Sequence, residues 1–162
     1  MVYEGELRFS GSEAYRLLDT ITSKYKYRVV GSAADKEVAF WIAERFRALG
    51  LETRVDVFRA PSFNGSLVEA FNVYGVKRGT VDAYVVLAAH HDVVPWTVEG
   101  ANDNGGGVAV LLELARGFAG RDTRLGIVFL STDAEETGLH GAYRFLRTFK
   151  GPMVAAISID MC

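Results

Sequence analysis

Apolar residues recur along this chain with two different periods, and the switches between them lay out its elements. Ala14, Leu17, Leu18 and Ile21 fall on one face of a helix, with Ser12 in place to cap it. Val38, Ile42, Phe46 and Leu49 form a second helical stripe. Ser32 with Asp35 resembles a capping pair at its start, and Gly50 closes it. Val55 and Val57 then alternate with polar neighbours, as do Phe71, Val73 and Gly75, which is the period of half-buried strands. Residues 77–82 read as a hairpin connection.

The pattern then changes character. Residues 84–89, 125–130 and 153–159 are almost continuously apolar, as strands covered by helices on both faces are. Between them lie two amphipathic helices, one carrying Val108, Leu111, Leu112 and Ala115, the other Leu139, Ala142, Tyr143 and Leu146. Strand, helix, strand, helix, strand implies right-handed crossovers and a parallel centre, which the earlier strands join as an antiparallel wing. The expected fold is therefore α/β: a three-layer sandwich around a mixed, mainly parallel sheet, forming one domain over residues 1–162.

Composition narrows the function classes. With 162 residues, 49% of them apolar and 23% charged, the chain is large enough for one real core. A net charge of −2 argues against a general nucleic-acid binder. No apolar run approaches a membrane span. The acidic N-terminal residues lack the apolar core of a signal peptide, and the single cysteine, Cys162, excludes an intrachain disulfide; together these predict a cytoplasmic location.

Candidate chemistry collects where the apolar strands end, which is where open α/β sheets bind ligands. His90-His91-Asp92 follows the first run, Asp133, Glu135 and Glu136 follow the second, and Asp160 follows the third. Asp103 stands in Asn102-Asp103-Asn104-Gly105-Gly106-Gly107, at the opening of the helix between the first two. Topology thus brings an imidazole and several carboxylates to one sheet edge, as a pair of borderline divalent metals requires. On extended backbone, residues two apart point the same way, so Asp92 can accept the second ring N–H of His90 while His91 faces the opposite side. Each group also has a plainer reading. His-x-Asp arises by chance, Asp103 caps a helix in a glycine-rich turn, Glu135-Glu136 is a solvated loop, and Asp160 starts a turn. His140 reads as surface or pocket lining, and Trp41 and Trp96 read as packing residues, Trp96 also as a cleft wall. The ordered set favours a metal-dependent hydrolase.

In this order and spacing the motifs resemble the M28 family of zinc aminopeptidases. The residues that carry the resemblance are Ala89-His90-His91-Asp92, Gly100-Ala101-Asn102-Asp103-Asn104, Ala134-Glu135-Glu136-Thr137-Gly138-Leu139 and Ile159-Asp160-Met161. Val30-Gly31-Ser32, Leu49-Gly50-Leu51 and Phe71-Asn72-Val73 precede them. The resemblance implies a zinc-peptidase-like (phosphorylase/hydrolase-like) sandwich holding two zinc ions, and removal of N-terminal residues from peptides. It implies His90 and Asp160 on the first ion, Asp103 bridging, Glu136 on the second, Glu135 as general base, and Asp92 behind His90.

It also implies a late histidine ligand, for which His90, His91 and His140 offer no match. The chain is accordingly expected to be a C-terminally truncated, incomplete domain, weak or inactive alone. It is further expected to form homo-oligomers or to be completed by another chain. The rival readings are an M20-like metallocarboxypeptidase or N-acyl amino acid deacylase, whose first motif is similar to His90-His91-Asp92-Val93-Val94-Pro95, a glutaminyl-cyclase-like enzyme, and a non-catalytic module on the same fold.

Overall fold

The computed structural model describes residues 9–162. In chain order the elements are α1 (Gly11–Lys24), α2 (Ala33–Ala48), β1 (Glu52–Pro61), β2 (Leu67–Lys77), β3 (Tyr84–His90), a π-helical turn (Ala101–Gly105), α3 (Gly106–Ala119), β4 (Gly126–Thr132), α4 (His140–Thr148) and β5 (Met153–Ser158). The five strands lie in the order β1-β2-β4-β3-β5. The pairs β4-β3 and β3-β5 are parallel, while β1-β2 and β2-β4 are antiparallel. This is the expected sandwich with a parallel centre and an antiparallel wing.

Two cores face the sheet from opposite sides. On one, Ile21 of α1, Val38, Ile42 and Phe46 of α2, and Val108, Leu111 and Leu112 of α3 pack on Val73, Leu87, Ile127 and Phe129. On the other, Phe145 of α4 packs with Tyr74, Val76, Tyr84, Val86, Val128 and Leu130. Both faces of β4 are thus covered and all seven of its residues are buried, which explains its unbroken apolar sequence.

Four expectations need correction. The cap of α1 is Ser10, whose hydroxyl accepts from the Glu13 amide at 3.3 Å; Ser12 already lies in the first turn, where its hydroxyl meets that of Ser10. Residues 77–82 do not form a hairpin, because β4 inserts between β2 and β3; the hairpin is β1–β2, where Pro61 pairs with Leu67. Val57 is exposed, since β1 is a sheet edge, and only Val55 packs against the core. β5 is also an edge, and all six of its residues are exposed among the described residues. The Ser32–Asp35 pair does cap α2: Ser32 Oγ accepts from the Asp35 amide at 3.1 Å, and Asp35 Oδ2 accepts from the Gly31 amide at 2.9 Å.

Candidate metal centre

His90 is the last residue of β3, and its side chain is 4% exposed. Its Nδ1 donates to the backbone carbonyl of Asp92 at 3.2 Å, with the Asp92 carboxylate 3.5 Å away. With Nδ1 so engaged, Nε2 is the ring atom that faces the neighbouring carboxylates. Asp103 Oδ1 lies 3.1 Å from Nε2, Asp160 Oδ1 3.6 Å and Glu135 Oε2 4.0 Å. One ring nitrogen of His90, one oxygen of Asp103 and one of Glu136 all fall within 4.8 Å of one another. Glu136 Oε1 is buried and has no hydrogen-bond partner. The structure therefore brings His90, Asp103, Glu135, Glu136 and Asp160 together, with Asp160 beside the compact trio rather than within it.

Local backbone explains the placement. Asp103 sits in the π-helical turn ahead of α3 with an extended conformation (φ −120°), and the Asp103–Asn104 peptide bond is cis. Asn104 Oδ1 accepts from the Gly107 amide, and its Nδ2 donates to the Ile159 carbonyl, tying the turn to the segment that carries Asp160. Gly107 has to be glycine: a Cβ would strike Asn104 Oδ1 and the Ile159 carbonyl. After β4 the chain turns sharply at Ala134, which is buried with φ 55°, a left-handed conformation costing about 1–2 kcal/mol for an L residue. The turn aims the Glu135 and Glu136 amides at Asp92, whose two oxygens accept them at 3.1 Å each. Asp92 is fully buried, so its role reaches beyond His90: it also holds the loop bearing both glutamates.

Electrostatics fit a cation. Burial disfavours the His90 imidazolium, but Asp92, Glu135 and Asp103 outweigh it and push the ring up to about 9. Burial, followed by Asp103, raises Glu136 to about 7, and burial likewise raises Glu135. Carboxylates and an imidazole lone pair crowded this closely repel one another unless protons or a metal intervene. Nitrogen and oxygen donors at this spacing suit a borderline dication such as zinc.

His91 points to the opposite side, as expected. It is fully buried; its Nδ1 lies 2.8 Å from Ser131 Oγ, and its Nε2 faces Asp35 Oδ1 at 3.5 Å and Asp133 Oδ2 at 4.0 Å. Burial lowers His91 to about 3 and raises Asp35 and Asp133, so the ring is neutral. Asp133 accepts from the Phe71 amide at 2.7 Å and from the Ala134 amide at 2.6 Å. The Asn72 side chain accepts from the Asp133 amide and donates to the Gly141 carbonyl. The sequence pattern does not single out Asn72 as a site residue. In the alternating pattern of residues 71–75, Asn72 reads as an ordinary polar position.

The sequence model of peptidase family M28 matches residues 72–162. The chain belongs to that family. It is 32% identical over 144 residues to the "Probable zinc metalloprotease" of Pyricularia oryzae, covering 78% of this chain and 28% of that protein. It is 37% identical over 78 residues to "Aminopeptidase YwaD" of Bacillus subtilis, covering 46% of this chain and 17% of that protein. Among solved structures, the glutaminyl cyclase of Porphyromonas gingivalis superposes with a TM-score of 0.81 at 26% identity, over 97% of this chain and 60% of that one. The chain thus spans less than a third of those two curated relatives. The orphaned Glu136 oxygen, and His90 Nε2 facing the Asp103 and Asp160 carboxylates, fit a metal ion.

Proposed function

We propose that this chain carries the centre of a zinc-dependent aminopeptidase, which removes N-terminal residues from peptides. The observation that carries this reading is the split between two adjacent glutamates. Glu136 contributes to the donor trio with a buried oxygen, whereas Glu135 stands at its rim, 30% exposed and 4.0 Å from His90 Nε2. His90, Asp103 and Asp160 would hold one ion, and Asp103 with Glu136 would contribute to a second. Bound there, zinc supplies a Lewis acid that polarises the scissile carbonyl and makes water more acidic. Glu135 takes a proton from the attacking water at its carboxylate and returns it to the leaving amine nitrogen. Asp92 keeps both glutamate amides fixed and orients His90.

Two protein donors are few for a tightly held zinc, so we assign the second ion a further protein donor beyond Asp103 and Glu136. The 26% identity to a glutaminyl cyclase supports a second reading, in which the same centre cyclises an N-terminal glutaminyl residue. Three substrates separate the readings. Release of chromophore from an aminoacyl anilide in the presence of zinc supports the aminopeptidase. Ring closure of a glutaminyl peptide without anilide cleavage replaces it with the cyclase. Turnover of N-acylated amino acids alone refutes both.

A further inference from the structure

We propose that Arg28 is a positioning residue of the metal centre, whose guanidinium sets the distance between the chain segments bearing His90 and Asp103. Arg28 lies between α1 and α2, remote in sequence from either donor, and is 0% exposed. Its fork spans the two segments. Nε donates to the His91 carbonyl at 2.6 Å, one residue after His90. Nη2 donates to the Gly100 carbonyl at 2.7 Å, and Nη1 to the Glu99 carbonyl at 2.5 Å, just before the turn that holds Asp103. Among the described residues no carboxylate lies within ion-pair distance of it. Its buried charge is therefore matched by backbone carbonyls, with the Asp92 and Asp103 carboxylates adding a favourable field from farther off. Burial pulls the guanidinium down to about 10, which still leaves it charged at neutral pH.

The loop between the two segments is held at its start by the Asp92 carboxylate and by the His91 N–H on the Thr132 carbonyl, and at its end by Arg28. Residues 91–100 contain no helix or strand. Two of the main-chain bonds that tether it also run to this neighbourhood: Val93 N–H donates to the Arg28 carbonyl, and Tyr27 N–H donates to the Val98 carbonyl. Gly100 has φ 54°, and a Cβ there would strike Val93 and approach Arg28 Nη2 at 3.0 Å. The guanidinium and the glycine thus occupy one tightly packed point. A planar fork can bridge carbonyls on both segments at once; a lysine ammonium at the end of a flexible stem cannot.

The proposal rests on the metal-centre reading, and its test is metal binding rather than turnover. Cobalt(II) serves as the probe, because its visible absorption reports donor geometry. In Arg28→Lys we expect a folded chain by circular dichroism, cobalt affinity weakened about 10–100-fold, as for other residues that orient ligands, and an altered visible spectrum. Ile42→Val, a cavity in the same core, is the control: it lowers the melting temperature and leaves affinity and spectrum unchanged. If Arg28→Lys also loses only melting temperature, Arg28 merely fills the core and the proposal is wrong. Should Arg28→Lys fail to fold, Arg28→Gln with the same readouts decides. If the wild-type chain itself binds no cobalt, the metal centre fails and this role falls with it; wild-type binding matched by the variant removes Arg28 alone.

Discussion

Metal has to displace protons from His90 and Glu136. Without metal these groups titrate at about 9 and about 7, and both must be deprotonated to act as ligands. Metal affinity therefore rises with pH up to about 9, and binding near neutrality releases protons; calorimetry in buffers of different ionisation enthalpy counts them. The sign reverses for the metal-free fold. The folded value of His90 lies above its ordinary 6.5, so its contribution to stability is fully present below 6.5 and is lost as pH rises through about 9. Asp35, raised to about 10, acts in the same direction, and His91 is neutral throughout this window. The melting temperature in chelator should fall from pH 7 to pH 9, while zinc should flatten or invert the trend; a chelated protein that grows more stable over that interval contradicts the assignment. Glu135 makes the complementary case. Glu135→Gln removes the base but not the donors, so turnover should drop about 10²–10⁴-fold with zinc content per chain unchanged. A rate near wild type would place the base elsewhere.

The segment from β4 to α4 shows how an element without regular structure is kept in place, and why it was only half legible. Asp92 holds its middle, the Asp133 carboxylate holds its start to β2, and Asn72 brackets it by bonding both the Asp133 amide and the Gly141 carbonyl. Gly141 packs so closely on Asp133 and Asn72 that a Cβ would collide with both. Asn72→Ala strands two buried polar groups and should cost about 2–6 kcal/mol, at roughly 1–3 kcal/mol for each. Denaturant unfolding reads the cost, and faster hydrogen exchange at the Glu135 and Glu136 amides would show that it falls on the loop. Stability and exchange close to wild type would mean that Asp92 suffices. The donors themselves were legible because each follows an apolar strand or opens a helix, so topology alone gathers them. Arg28 and Asn72 were not, because the carbonyls and amides they meet come together only in the folded chain. The misplaced hairpin has the same origin. Lys77-Arg78-Gly79-Thr80-Val81-Asp82 is turn-like locally, and nothing local reports that β4, far along the chain, inserts between the strands it joins.

Over the whole molecule the two sheet edges differ, and the difference makes a prediction. β1 carries Glu52, Arg54, Asp56 and Arg59 along its length, the charged pattern that discourages edge-to-edge pairing. β5 reads Met-Val-Ala-Ala-Ile-Ser, without a charge, and every residue is exposed. An apolar groove of about 670 Å³ runs beside it on the α3 face, lined by Val85, Leu87, Leu114, Phe118, Ile157 and Ile159. A second, of about 220 Å³, lies on the α4 face between Leu130, Phe145, Leu146 and Met153 and reaches His90 and Asp160 at its end. Unpaired backbone and apolar surface on both sides favour association. This chain should therefore self-associate in solution through β5, with a sedimentation coefficient that rises with concentration. Ile157→Lys puts a charge into the larger groove and should shift the equilibrium towards monomer. Ile157 is not a metal donor, so zinc content should survive the change and separate this effect from damage to the centre. Sedimentation as a monomer at high concentration, or association unaffected by Ile157→Lys, would show that the β5 edge is not the contact. Zinc content that rises on association would further mean that the second ion draws its remaining donor from the partner copy.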